Sequence, residues 1–377
     1  MAANNALFNN NVYLIVNDIG KQALGSININ VIDTASFIDY GNRVLSSSDY
    51  TETFMSELLL RIARTYETWR PYESSLRDLI VSGEEWGAFY QKIDGEVPDF
   101  VSDESFELED GKSIDQYIVR KPTARQKLFI KRSPYSNYVT LSRVLLRPAF
   151  NSEAGFMSFV NMIYGKMRIK LDFAMENMAR LAMCSYMANA SGAQVVNLVS
   201  NYNEETGEEL TAKTALHDKD FLAYAAGEME LYSKRLRTLS TAYNKEAAER
   251  HTPRGEQRFV VYDLFQTRLQ TVVQYQAYHD ELVRLREYIE VPYWQSERSR
   301  DTIDVTVLDE NGETDEVEIS NIVGFIFDRF ALGTFMSNEE TLTTPINARA
   351  RYFNTFHHAE QLWFNDLSEN GVIFTLN

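Results

Sequence analysis

Between Pro148 and Gly192 the chain runs NSEAGFMSFVNMIYGKMRIKLDFAMENMARLAMCSYMANA without a proline. Ser152 is placed to cap a helix and Gly192 to stop it. About 38 residues at ~1.5 Å rise give a rod of roughly 57 Å, longer than a small domain is wide. Phe156, Phe159, Val160, Ile163, Met167, Leu171, Ala174, Met178, Leu181 and Met187 mark a continuous apolar stripe along it. The predicted core of this helix centres on Phe159, Ile163, Met167 and Leu171. Gly165 lies inside, at a point suited to a bend or a close approach. A helix of this length sets the scale of everything packed around it.

The last part of the sequence is equally constraining. From Asn321 it reads NIVGFIFDRFALGTFM, then NEETLTTPINARARYFNTFHHAEQLWF, then NDLSENGVIFTLN. Three dense apolar strand candidates are separated by polar turns, and the expectation is a terminus tied down in a sheet. A long helix combined with a strand-rich return points to a shell-forming protein rather than an enzyme.

The 377 residues exceed one ordinary core, so two or three lobes are expected. Residues 1–50 are rich in Asn and Ser, with short apolar clusters, and read as an arm with little core of its own. A helix is predicted from Tyr50 to Tyr66, capped by Thr51, with Phe54, Leu58, Ile62 and Tyr66 at helical spacing. Residues 76–147 hold short alternating runs punctuated by glycines, which reads as an extended β excursion. Its aromatics include Trp86, Phe89, Tyr90 and Phe100. One limb is acidic, with Asp103 and Glu104, and the other basic, with Arg120, Lys121 and Arg125. The basic limb is read either as a solvated strand pair or as a contact for the acidic limb of a neighbouring copy. Residues 193–300 form a second lobe, with helices over Phe221–Leu239 and Asp263–Glu287 and a strand over Arg258–Tyr262. Asp304–Leu308 and Glu316–Ile319 alternate around Asn311-Gly312, a hairpin signal.

Charge and chemistry narrow the function. With 37 basic against 54 acidic residues the net charge is −17, which disfavours generic binding to nucleic acid through its phosphates. Cys184 is the only cysteine, so no intrachain disulfide or cysteine metal cage is expected. Its neighbours supply no activating base, and it reads as a small core residue. His357 and His358 are adjacent on a predicted strand and point to opposite faces, so they do not chelate one metal. No nucleophile elbow, phosphate loop or dinucleotide fingerprint is present. No catalytic, cofactor-binding or metal residue is therefore assigned. No segment reaches the roughly 18 apolar residues of a membrane span, and the basic, apolar start of a signal peptide is lacking. A soluble protein made in the cytoplasm is expected.

The order of these parts resembles the major capsid proteins of tailed bacteriophages, the HK-97-type fold shared with herpesvirus shells. The segment AGFMSFVNMIYGKMRIKLDFAMENMARL resembles the spine helix of small podoviruses of the phi-29 type. IVGFIFDRFALGTFM resembles the internal strand pair of that family, and NARARYFNTFHHAEQLWF and NDLSENGVIFTLN its closing strands.

The resemblance implies an α+β fold. Its parts would be an N-terminal arm (1–50), a helix leading to a loop (51–80), an extended β loop (81–147) and a spine helix with a peripheral sheet (148–192). An α/β axial domain (193–320) and closing strands (321–377) would complete it. It further implies self-assembly into pentamers and hexamers of an icosahedral shell around double-stranded DNA, without sequence-specific DNA binding, cofactor or membrane. Scaffold, portal or minor virion proteins would be partners, and the virion, assembled in the host bacterial cytoplasm, the location. The residues also admit a cytoplasmic enzyme with a site between lobes, or another self-assembling protein of the portal or encapsulin kind.

Overall fold

A computed structural model describes residues 13–14, 16–21, 31–47, 49–54, 75–79, 90–96, 100, 103–106, 108–113, 117, 119, 121–130, 132–142, 165–274, 288–308 and 314–377. After helical residues 16–21 come helix α1 (Thr34–Ser46) and, beyond helical residues 49–54, strands β1 (Tyr90–Glu96), β2 (Thr123–Phe129) and β3 (Arg132–Ser142). Helix α2 (Lys166–Ala188), strand β4 (Val195–Asn197) and helices α3 (Leu198–Thr206) and α4 (Lys219–Arg235) follow. Strand β5 (Gln257–Tyr262), helix α5 (Asp263–Arg268) and strands β6 (Ile289–Val291), β7 (Ile303–Leu308) and β8 (Thr314–Ile319) come next. Strands β9 (Ile322–Asp328), β10 (Leu332–Thr343), β11 (Tyr352–Asn365) and β12 (Gly371–Thr375) complete the set.

The apolar runs IVGFIFD and GVIFT are unbroken because their strands are covered on both faces. They lie side by side in a five-stranded sheet of order β4-β12-β9-β5-β6. Phe325, Phe327 and Ile373 face the C-terminal half of α2, where Met183, Tyr186 and Met187 meet them. Ile326, Val372 and Phe374 face the other way, onto α3 and α4 through Val199, Tyr202, Phe221, Ala225 and Met229. Trp294 is fully buried on the α2 side, and its indole N–H donates to the carbonyl of Ile322 at 2.8 Å. The β7–β8 hairpin adds Val305, Val307, Val317 and Ile319 to that side and leaves Asp304, Thr306, Glu316 and Glu318 in solvent.

A second sheet, antiparallel and of order β10-β11-β3, packs on α2 through β10 and β11. The strand over residues 132–142 thus belongs to this sheet. Sequence reading assigned it to the extended loop, because its partner β11 lies more than 200 residues away. The two sheets share two chain crossings, β9 to β10 and β11 to β12. The crossings are stapled together: Asp366 N–H donates to Ala331 O at 2.6 Å, and Asp328 N–H to Asn370 O at 2.9 Å.

Four local expectations are corrected. Residues 1–50 are not only an arm. Asp33 and Ser36 form a capping box that starts α1; Phe37, Tyr40 and Val44 are buried, as are Val16, Ile19 and Phe54, and the Tyr40 and Phe54 rings meet at 6.0 Å. Thr51 does not cap a helix. It sits within the helical residues 49–54, and its hydroxyl donates to Val44 O at 2.9 Å and Ser47 O at 2.8 Å. Helix α2 stops at Ala188 with Asn189 as its cap, before Gly192. The predicted helix after Asp263 loosens into a π-type turn over Leu269–Gln274. Its remainder, the first half of the long helix, the rest of the helix after Phe54 and the Asn311-Gly312 turn lie outside the described residues.

Candidate intersubunit interface

Strands β1 and β2 form an antiparallel hairpin with Tyr90 opposite Phe129 and Glu96 opposite Thr123. Strand alternation gives it two faces. One turns Ile93 and Leu128 out to solvent. The other carries Lys92, Asp94 and Lys127 and lies on the body of the subunit, where the Phe129 ring meets Phe364 of β11 at 5.6 Å.

In the stretch joining the two strands, the described large apolar side chains are uncovered. Phe100 is 107% exposed and Phe106 89%, and Leu108, Tyr117 and Val119 are also exposed. Burial of each such side chain is worth ~1.5–3 kcal/mol. Two of the acidic residues here have local partners. The Asp103 carboxylate is held below the usual carboxylate range first by the Ser105 side chain and then by Ser105 N–H, which donates to it at 2.9 Å. Glu109 ion-pairs with Lys112.

At its base the hairpin is held by an ionic cluster. Lys92 stands directly opposite Lys127 in the β1–β2 register. Like charges so placed repel, and here a carboxylate separates them. Asp366, at the start of the β11–β12 turn, accepts from Lys92 Nζ at 2.5 Å on one oxygen and from Lys127 Nζ at 2.7 Å on the other. Ser368 adds its N–H at 3.1 Å and its hydroxyl at 2.7 Å. The Asp366 side chain is 0% exposed. Burial alone would raise its pKa, but the bonds from Lys127, Lys92 and Ser368 outweigh it and hold the carboxyl at about 2. Lys92 also bonds Glu369, and Lys127 bonds Glu246 at 2.6 Å. Arg250 bonds Asp94 and sits 3.2 Å from Glu369. Desolvation works against the Lys92 charge, yet Asp366 and Glu369 keep its pKa raised.

The residues singled out from sequence fall at different places. Phe100 and Asp103 lie in the exposed connection, as does Glu104, in a short 3₁₀ turn. Tyr90 begins β1, Lys121 is exposed just before β2, and Arg125 is exposed on β2 opposite Asp94. Trp86, Phe89 and Arg120 lie outside the described residues, as do Phe159 and Ile163. On α2, Met167 and Leu171 are buried, at 8% and 7% exposure. Leu181 is not. It shares an outward stripe with Ile169 and Phe173, while Glu176 and Arg180 occupy the buried face as an ion pair at 2.5 Å. The Arg180 guanidinium lies 4.1 Å over the Tyr293 ring. His357 faces Glu339 at 3.1 Å, and His358 is exposed. Among the described residues no group of three or more His, Cys, Asp or Glu side chains is arranged to hold a metal ion. No helix among them is long and apolar enough to cross a membrane.

A family model, Phi29-like phage major capsid protein, matches residues 15–375. The chain belongs to this family. It is a shell-forming capsid protein and a component of the virion, in a family of structural proteins. Among solved structures, the capsid of Staphylococcus phage Andhra matches with a TM-score of 0.54 at 11% identity, over 82% of this chain and 86% of that one. A chain in the structure of the head fiber and inner core protein gp22 of native bacteriophage P68 matches with a TM-score of 0.53 at 11% identity, over the same shares. At this identity they speak for the fold alone, and the fold is of the HK-97 type. No curated protein matches the sequence at a significant level.

Read as a capsid subunit, α2 is the spine helix and β10-β11-β3 the sheet beside it. The ionic cluster escaped sequence reading. Its one local signal was a lysine on each limb of the hairpin, and the carboxylate between them is 239 residues from one and 274 from the other.

Proposed function

We propose that the β1–β2 hairpin of one subunit lies across a neighbouring copy, and that rings of such contacts build pentamers and hexamers of an icosahedral shell around double-stranded DNA. The observation that carries this is the exposed run Phe100, Phe106, Leu108, Tyr117 and Val119 at the far end of the hairpin. A surface of that kind is costly in a free subunit and favourable against a partner. Each subunit presents one such arm, so the contact is head-to-tail and closes into rings. The charge of −17 suits a container wall that holds DNA without gripping it. Assembly takes place in the host bacterial cytoplasm, with scaffold, portal or minor virion proteins as partners.

The test is replacement of residues 99–116 by a short Gly/Ser linker. The subunit folds, because both sheets and the spine helix lie elsewhere, and shells are lost. Circular dichroism, thermal melting and light scattering on variant and parent read the two effects separately. Normal-sized particles would rule out the hairpin as the clamp. Loss of folding would place the segment in the subunit's own core.

A further inference from the structure

We propose that the ionic cluster at the hairpin base is a latch that aims the arm within the free subunit and ties its direction to the joint between the two sheets. The inference borrows from the preceding proposal only the arm's use in assembly.

Five of the six ionic contacts of the cluster cross from hairpin to body, and the sixth, Arg250 with Glu369, lies within the body. The hairpin supplies Lys92, Asp94 and Lys127; the body supplies Glu246, Arg250, Asp366 and Glu369. The body's share holds three carboxylates for one guanidinium, so it is incomplete alone. Withdrawing the hairpin would strip Asp366 of both cations and leave its carboxylate with only the Ser368 hydroxyl and backbone N–H. The hairpin is equally incomplete. Without Asp366, Lys92 and Lys127 face each other across the strands. The contacts are also directional. Asp366 gives one oxygen to each lysine, and Arg250 engages Asp94 two residue pairs further along the strand register. Two anchor points along a stiff β-ribbon define a direction, where one would leave a pivot.

The anchor on the body is itself the joint. Asp366 N–H donates to Ala331 O, so one end of the turn is fixed to the β9–β10 crossing. Glu369 O accepts the Tyr186 hydroxyl at 2.6 Å, which fixes the other end to the spine helix. A change in the angle between the two sheets therefore moves Asp366 and Glu369 against each other, and the arm with them.

Distances between spin labels at Gln126→Cys on the hairpin and Leu239→Cys on the body, in a Cys184→Ala chain kept unassembled by dilution, test the latch. Both labelled positions are exposed. The parent should give one narrow distance distribution. Lys92→Met with Lys127→Met should broaden it at least twofold while circular dichroism and melting stay cooperative. Asp366→Asn should broaden it as well. If the double variant does not fold, Lys127→Gln alone serves, because that lysine is the more exposed of the two. A broad distribution in the parent, or an unchanged width in the variants that fold, overturns the proposal. The readout needs no shell, so it stands or falls apart from the linker replacement.

Discussion

Gly371 opens β12 at a point where the strand passes the ring of Tyr186 on the spine helix. A Cβ there would sit 2.6 Å from one ring carbon, 2.8 Å from the hydroxyl oxygen and 2.9 Å from the carbon bearing it. Comfortable separations are ~3.5–4.0 Å, so in Gly371→Ala something must retreat by about 1 Å. The ring has little room. It packs against Phe325 at 5.6 Å between centroids, and its hydroxyl donates to Glu369 O at 2.6 Å. The strand is pinned too, between β4 and β9, with Gly371 N–H on Tyr243 O at 2.9 Å. Overpacking of this kind costs ~1–3 kcal/mol. Dislodging the hydroxyl leaves a buried carbonyl unpaired, for another ~1–3 kcal/mol. The expected loss is about 4 kcal/mol, a large share of the ~5–15 kcal/mol that a domain commands. Chemical denaturation of the unassembled subunit measures it. Tyr186→Leu should cost about 3 kcal/mol by itself. Adding Gly371→Ala to it should cost almost nothing, since the clashing atoms are gone, so the cycle shows a coupling of about 3–4 kcal/mol. If Gly371→Ala alone fails to accumulate, the double variant should restore soluble protein. Gly371→Ala within about 0.5 kcal/mol of the parent, or strict additivity in the cycle, would refute the argument.

Two further outcomes follow from buried groups. Cys184 lies in the core with its thiol pushed up to about 12, chiefly by burial, so a thiol reagent should label the folded subunit negligibly and the denatured chain fully. Reductant should leave assembled particles intact, and rapid labelling or dissociation would contradict this. Asp366 has a depressed pKa, so its contribution is present above the unfolded value of ~3.9 and is lost as pH falls toward 2. Asp366→Asn should therefore erase about 2 kcal/mol of the parent's stability loss between pH 5 and pH 2. An identical acid profile in variant and parent would exclude the residue as an acid-sensitive anchor.

What could be read in the sequence was whatever is encoded by neighbours. The IVGFIFD and GVIFT runs, the alternation flanking Asn311-Gly312 and the apolar periodicity around Met167 and Leu171 each carry their own period, and the α+β fold follows from their order. Leu181 misled because its helix has two apolar faces, one buried and one running outward through Ile169 and Phe173. Glu176 and Arg180, oppositely charged and one helical turn apart, are buried beside Tyr293. β3 went to the loop because strand pairing is invisible until its partner β11 is known. The latch was the least legible part. Lys92, Lys127 and Asp366 mean nothing separately, and no periodicity links them.

The five-stranded sheet also has a kinetic side. Strand β4 is finished only by β12, through a parallel pairing that places Thr375 on Asn197, 178 residues away. Closing so long a loop is slow, and parallel pairing offers no local turn to nucleate it. Until it closes, two of the most apolar segments of the chain have open edges, a ready template for the wrong partner. A protein that must reach high concentration to build a shell therefore passes through its most adhesive state first. The yield of shells is then set by a race between the sheet closing within one chain and the same strands pairing between chains.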